Sequence, residues 1–121
     1  MEINTEKITI ILPFIPPTIN YYIGRDNRWQ YQADKKKLHQ AVKMLTIGKN
    51  YNINKCKMDI TYYFKDRRRH DPGNNEKILL DCLVEANIIT DDNYGVITEL
   101  TTRGNYDKEN PRTEVVIEVL E

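Results

Sequence analysis

Residues 57–93 read KMDITYYFKDRRRHDPGNNEKILLDCLVEANIITDDN, and this stretch decides the fold. Its first nine residues alternate. Met58, Ile60, Tyr62 and Phe64 fall on one side, and Asp59, Thr61, Tyr63 and Lys65 on the other, the period of a half-buried β-strand. The strand runs straight into Asp66-Arg67-Arg68-Arg69-His70-Asp71. After Pro72-Gly73 the period changes to that of a helix, with Asn74 placed as its N-cap and Ile78, Leu79, Cys82, Leu83 and Ala86 as its apolar stripe. Asn87 suits the left-handed residue that closes such a helix. Asp91 and Asp92 follow. Cations, a carboxylate, a helix and then further carboxylates are the parts needed for metal-dependent chemistry on a phosphodiester.

Working outward, the same reading gives a strand over Lys7–Leu12, stopped by Pro13. Pro16-Pro17-Thr18 forces an extended turn. The segment Asn20–Tyr31 reads as a loop carrying Tyr21, Tyr22, Arg25, Arg28, Trp29 and Tyr31. Its aromatic and cationic side chains suit stacking and phosphate contact, or equally a loop folded over the core. A helix begins at Ala33, with Leu38, Ala41, Val42 and Leu45 inward and Gly48 as its stop. Lys35, Lys36, Lys37 and Lys43 lie off that stripe, and His39 is read as exposed without a partner. Residues 49–56 form a polar connector. Gly95 opens a strand over Val96–Arg103, a loop spans Gly104–Pro111, and Thr113–Leu120 is the last strand. The final two strands are expected to pair as a hairpin. The order is β-α-β-α-β-β, an α+β fold in one domain over residues 1–121, with helices packed on a small mixed sheet.

Composition sets limits. The chain has 121 residues, 30% of them charged and 40% hydrophobic, which suits a folded water-soluble domain. No apolar run reaches the length of a membrane span, and the N-terminus lacks the pattern of a signal peptide. Cys56 and Cys82 have no metal-ligand spacing, so a reduced, buried pair in the cytoplasm is expected. The net charge of zero hides an asymmetry. Residues 1–70 hold 14 Lys/Arg and 6 Asp/Glu, whereas residues 71–121 hold 4 and 12. Either the basic half presents a face to phosphates beside an acidic site, or the halves neutralise each other across the fold.

The chemistry depends on whether Asp71 and Asp92 meet. A helix from Asn74 to Asn87 is roughly 20 Å long at ~1.5 Å per residue. The five residues from Ile88 to Asp92 cover about 16 Å if extended. A chain turning back along the helix therefore returns Asp92 to the helix start, beside Asp71 and Lys77. Converging carboxylates suit Mg²⁺, with Lys77 neutralising an oxyanion or protonating a leaving oxygen. The plainer reading makes Asp71-Pro72-Gly73 and Asp91-Asp92-Asn93 two surface turns. Lys77 and Asp81 are also spaced for an i,i+4 ion pair.

Together these residues resemble the RusA family of Holliday-junction resolvases. The N-terminal Leu12-Pro13-Phe14-Ile15-Pro16-Pro17-Thr18-Ile19-Asn20-Tyr21-Tyr22 is similar to the family's opening. The resemblance is strongest over Asp66–Asn74, with Lys77, Asp81-Cys82-Leu83 and Asp91-Asp92-Asn93, and it covers nearly the whole chain. It implies a Mg²⁺-dependent endonuclease, with Mn²⁺ able to substitute, that cuts four-way DNA junctions as a homodimer in a bacterial or phage setting. Neither a membrane nor a small-molecule substrate is implied. Catalytic roles then fall on Asp71, Asp92 and Lys77. Metal binding falls on Asp71, Asp92 and the adjacent Asp91. DNA contacts fall on Arg67, Arg68, Arg69, His70, Asn74, Lys77, Tyr21, Tyr22 and Arg25.

The chain departs from the family at two points. Gly73 stands where the D-x-D-N pattern has its second aspartate, and His70 where arginine is more common. Gly73 removes a metal ligand, so an inactive DNA-binding protein of the same fold is the alternative. A protein-interaction domain without DNA affinity is a third reading, suggested by the zero net charge.

Overall fold

The computed structural model describes residues 6–16, 28–49, 51–67, 70 and 75–120. Its elements are β1 (Glu6–Leu12), α1 (Arg28–Leu45), β2 (Cys56–Phe64), α2 (Glu76–Glu85), β3 (Ile97–Tyr106) and β4 (Arg112–Val119). The fold is α+β, in the expected order. One mixed sheet has the strand order β1-β4-β2-β3.

The expected hairpin between the last two strands does not form. β4 pairs antiparallel with both β1 and β2, and β3 lies on the far side of β2, parallel to it. Burial explains the choice. Along β4, Thr113, Val115 and Ile117 are fully buried, whereas β3 buries only Ile97, and that incompletely. A strand with a buried apolar side belongs in the middle of a sheet, and a polar one is tolerated at its edge. The parallel β2–β3 pair needs a long crossover, which α2 and the segment after it supply. β3 also runs on to Tyr106, beyond the expected stop at Arg103, which shortens the following loop. That loop crosses the end of β2, where the Asp107 amide donates to the Phe64 carbonyl at 2.9 Å.

One sheet face carries Ile8, Ile10, Leu12, Met58, Ile60, Tyr62, Phe64, Val115 and Ile117 into the core, against Leu38 and Val42 of α1 and Ile78, Leu79 and Leu83 of α2. The other face is polar. Lys7, Glu118, Lys57 and Glu99 are successive partners across the four strands, a row of alternating charge. Lys57 and Glu99 pair at 3.4 Å, and Arg103 pairs with Asp59. In the Lys7–Glu118–Lys57–Glu99 row, cations from residues 1–70 face acids from residues 71–121.

α1 starts at Arg28, five residues before the expected Ala33, so Arg28–Tyr31 is helix and not loop. Gln30 donates to Asp34 at 2.8 Å one turn on, and Tyr31 packs against the core, which extends the amphipathic face backward. At the other end Leu45 is exposed, contrary to its place on the inward stripe. Thr46 is buried instead, its hydroxyl donating to the Val42 carbonyl at 3.0 Å. Gly48, at φ 77°, stops the helix as expected. His39 also differs from expectation: its Nδ1 lies 2.9 Å from Glu85, which Lys35 also reaches at 3.3 Å, tying α1 to α2.

Cys56 and Cys82 are both buried free thiols. Burial raises the pKa of each, that of Cys82 to about 11. Among the described residues no helix is long and apolar enough to cross a membrane.

Candidate nuclease site

The site lies around α2. At its exit, Asn87 takes φ 60°. Its amide donates to the Val84 carbonyl and the Ile88 amide to the Leu83 carbonyl, both at 3.0 Å. This is the Schellman arrangement, with Asn87 in the left-handed position. The next residues run beside the connector: the Asn52 amide donates to the Asn87 carbonyl, the Ile53 amide to the Ile88 carbonyl, and the Thr90 amide to the Ile53 carbonyl, each at 3.0 Å. Ile88 and Ile89 are buried there. A buried segment thus delivers the chain to Asp91 and Asp92.

These two acids have different occupations. Asp91 accepts from the Asp92 amide at 2.7 Å through one carboxylate oxygen, and from the Asn93 side chain at 3.1 Å through the other. Asn93 in turn accepts from the Gly95 amide at 2.9 Å. Asp91 is therefore committed to the turn. The Asp92 carboxylate, half-buried, has no hydrogen-bond or ion-pair partner among the described residues.

Lys77, in the first turn of α2, is mostly exposed and meets Asp81 at 3.3 Å, the expected i,i+4 pair. The expected N-cap Asn74 lies outside the described residues. The helix begins at Glu76, and Asn75 flanks it without capping through its side chain. Its Nδ2 donates instead to the Pro16 carbonyl at 2.6 Å, joining the helix start to the exit of β1.

Of the basic run, Arg67 lays its guanidinium over the Tyr106 ring, 4.6 Å from the centroid. His70 stacks on Phe64, with ring centroids 3.9 Å apart at 2°, and its Nε2 lies 2.8 Å from Asp66. Arg67 is thus fastened to the end of β3 and His70 to the end of β2. Asp71, Gly73, Arg68, Arg69, Tyr21, Tyr22 and Arg25 also lie outside the described residues. Among the described residues no three His, Cys, Asp or Glu side chains gather as a metal cluster.

Three features here were not anticipated from sequence. Thr102 donates to Glu76 at 2.5 Å, pinning the start of α2 to β3. Tyr62, fully buried, has a hydroxyl without a partner among the described residues, and burial first, then the Glu76 charge, raises its pKa. Asn75 forms the tie to Pro16. Asn75 and Glu76 looked like ordinary helix-start residues, and only the strand register shows what they touch.

The chain was compared with known proteins. Residues 15–118 match the family model of endodeoxyribonuclease RusA. The chain belongs to the RusA endodeoxyribonuclease family. The match spans the basic run, both helices and the last three strands. No curated protein matched the chain.

Proposed function

We propose that this RusA-family chain is a structure-selective endodeoxyribonuclease that resolves four-way DNA junctions, depends on Mg²⁺ (or Mn²⁺) and works as a homodimer. The observation that carries this reading is the family match over residues 15–118. The donors fit a hard divalent cation in kind. Asp92 offers carboxylate oxygens without a partner among the described residues, whereas those of Asp91 are engaged by the turn. Asp92 and Asp71 would hold the ion, with Asp91 supporting the turn that presents Asp92. When bound, the ion supplies activated water and neutralises charge developing on phosphorus.

The protein's own groups do the rest. Lys77, with Asp81 on one side and solvent on the other, is free to donate to a phosphate oxygen. Arg67, tied down by Tyr106, and His70, tied down by Phe64 and Asp66, would serve as phosphate contacts. Paired cuts in opposed strands call for two copies related by a two-fold axis.

Gly73 favours a second reading, a DNA-binding protein of the same fold without catalysis, because glycine supplies no carboxylate. One experiment addresses both. A labelled synthetic four-way junction is incubated with the chain, and in parallel with its Gly73→Asp variant, in Mg²⁺ or EDTA. Paired nicks from the unaltered chain in Mg²⁺ alone support the first reading. Salt-sensitive binding without nicks, with nicking gained by Gly73→Asp, supports the second for this chain. Failure of both proteins to bind the junction overturns both readings.

A further inference from the structure

A cavity of about 760 Å³ opens where β1 exits, β2 ends and α2 begins. That is within the ~300–1,000 Å³ usual for sites taking a small organic group. Both phenylalanines of the chain, Phe14 and Phe64, line it, together with Pro16, His70, Asn75 and Pro111. Its wall is largely apolar, with Lys65 and Asp66 also lining it. His70 ends the basic run and is stacked parallel on Phe64, and the next residue in sequence is Asp71.

Asn75 contributes a polar atom to this wall. Asn75 is 2% exposed, and its Nδ2 is fixed by the Pro16 carbonyl. The carbonyl can only accept, so it must face the amide nitrogen, which settles the orientation of the amide. Oδ1 is then the free end, with no donor among the described residues. A cavity with aromatic walls and a fixed amide acceptor, lined also by Lys65 and by an Asp66 carboxylate engaged with His70, matches a planar heterocycle that carries an N–H on its edge and is attached to a phosphate chain.

We propose that this cavity receives one unstacked nucleobase of the DNA, packed against the Phe64–His70 pair, with Asn75 Oδ1 accepting from an amino group on the base edge. The inference rests on the DNA-junction reading above and adds a base contact to what would otherwise be recognition of phosphates and shape. Stacking is tolerant of base identity, whereas the acceptor discriminates by the amino group.

The test is equilibrium binding in EDTA to four-way junctions carrying a single abasic residue at each position around the crossover. An abasic residue at the captured position is expected to weaken binding about tenfold, in line with base–aromatic stacking. Restoring a base that lacks the edge amino group should leave a deficit of about three- to tenfold, the effect of one buried hydrogen bond. In Asn75→Ala that second deficit should vanish. His70→Ala, at a surface position, should shrink the abasic effect while circular dichroism stays unchanged; it decides the matter if Asn75→Ala does not fold. Tight junction binding with no position sensitive to base removal overturns the inference and leaves the junction reading standing. So does an amino-group deficit unchanged in folded Asn75→Ala, or an abasic effect unchanged in His70→Ala. Absence of junction binding removes the junction reading itself, and the base site with it.

Discussion

Asn87 is the hinge between α2 and the acidic turn, and replacing it should separate two effects. At φ 60° it occupies the left-handed region, where a Cβ costs about 1 kcal/mol for alanine and nothing for glycine. The hydrogen bonds around it, to Val84 and from Asn52, use its backbone alone, so neither substitution removes a bond. Asn87→Ala should therefore lose about 1–1.5 kcal/mol, asparagine being one of the residues that tolerate this conformation. Asn87→Gly should stay within about 0.5 kcal/mol of the parent, the left-handed preference of glycine offsetting its greater freedom in the unfolded chain. For a chain of this length, 1 kcal/mol corresponds to roughly 3–6 °C in Tm. Urea denaturation of the three proteins, with m held constant, measures both differences. An alanine variant as stable as the parent, or a glycine variant as weak as the alanine one, would refute the assigned exit from α2.

Three further outcomes follow from the core. Tyr62→Phe deletes a buried hydroxyl that has no partner among the described residues, so it should leave stability unchanged or raise it by up to about 1 kcal/mol; a loss above that on urea titration would reveal a partner. Ile117→Ala, fully buried on a central strand, should cost about 2–5 kcal/mol, and Leu100→Ala on the edge strand much less; equal losses would contradict the strand order. Cys82 is buried with its pKa raised from 9.0 to about 11, so the folded state holds its proton longer than the unfolded state. Its contribution is complete below about pH 9 and is lost as pH rises towards about 11. Native protein should also leave both thiols unreacted with a thiol reagent at pH 8 and release two on denaturation; prompt reaction of either would contradict their burial.

Much of the architecture was legible because local pattern and tertiary environment agree. The alternation at Met58–Phe64 and the stripe at Ile78–Leu83 both face the core, and Asn87 and Gly48 end their helices in the left-handed conformation. The sheet order was not legible. The short loop before β4 resembles a hairpin connection, and nothing local shows that it steps over β2; the signal was the polarity of β3, which marks an edge strand. The start of α1 was missed because aromatic residues in a polar segment resemble a loop until Tyr31 finds the core. At the site, the Lys77–Asp81 pair follows from helical spacing alone. The contrast between Asp91 and Asp92 does not, since it arises from which carboxylate the turn's N–H groups reach. His39 and Asn75 acquire partners 46 and 59 residues away in sequence, at Glu85 and Pro16, and such partners leave no trace in a local pattern.

The most direct measurement of the central claim is the rate of paired nicking of a four-way junction in Mg²⁺, comparing Asp92→Asn with Asp91→Asn, in the parent chain or in Gly73→Asp if only that variant cuts. Asp92→Asn should abolish nicking at unchanged stability, because its carboxylate has no partner among the described residues. Asp91→Asn should retain nicking while weakening the turn. Undiminished nicking by Asp92→Asn would contradict the account.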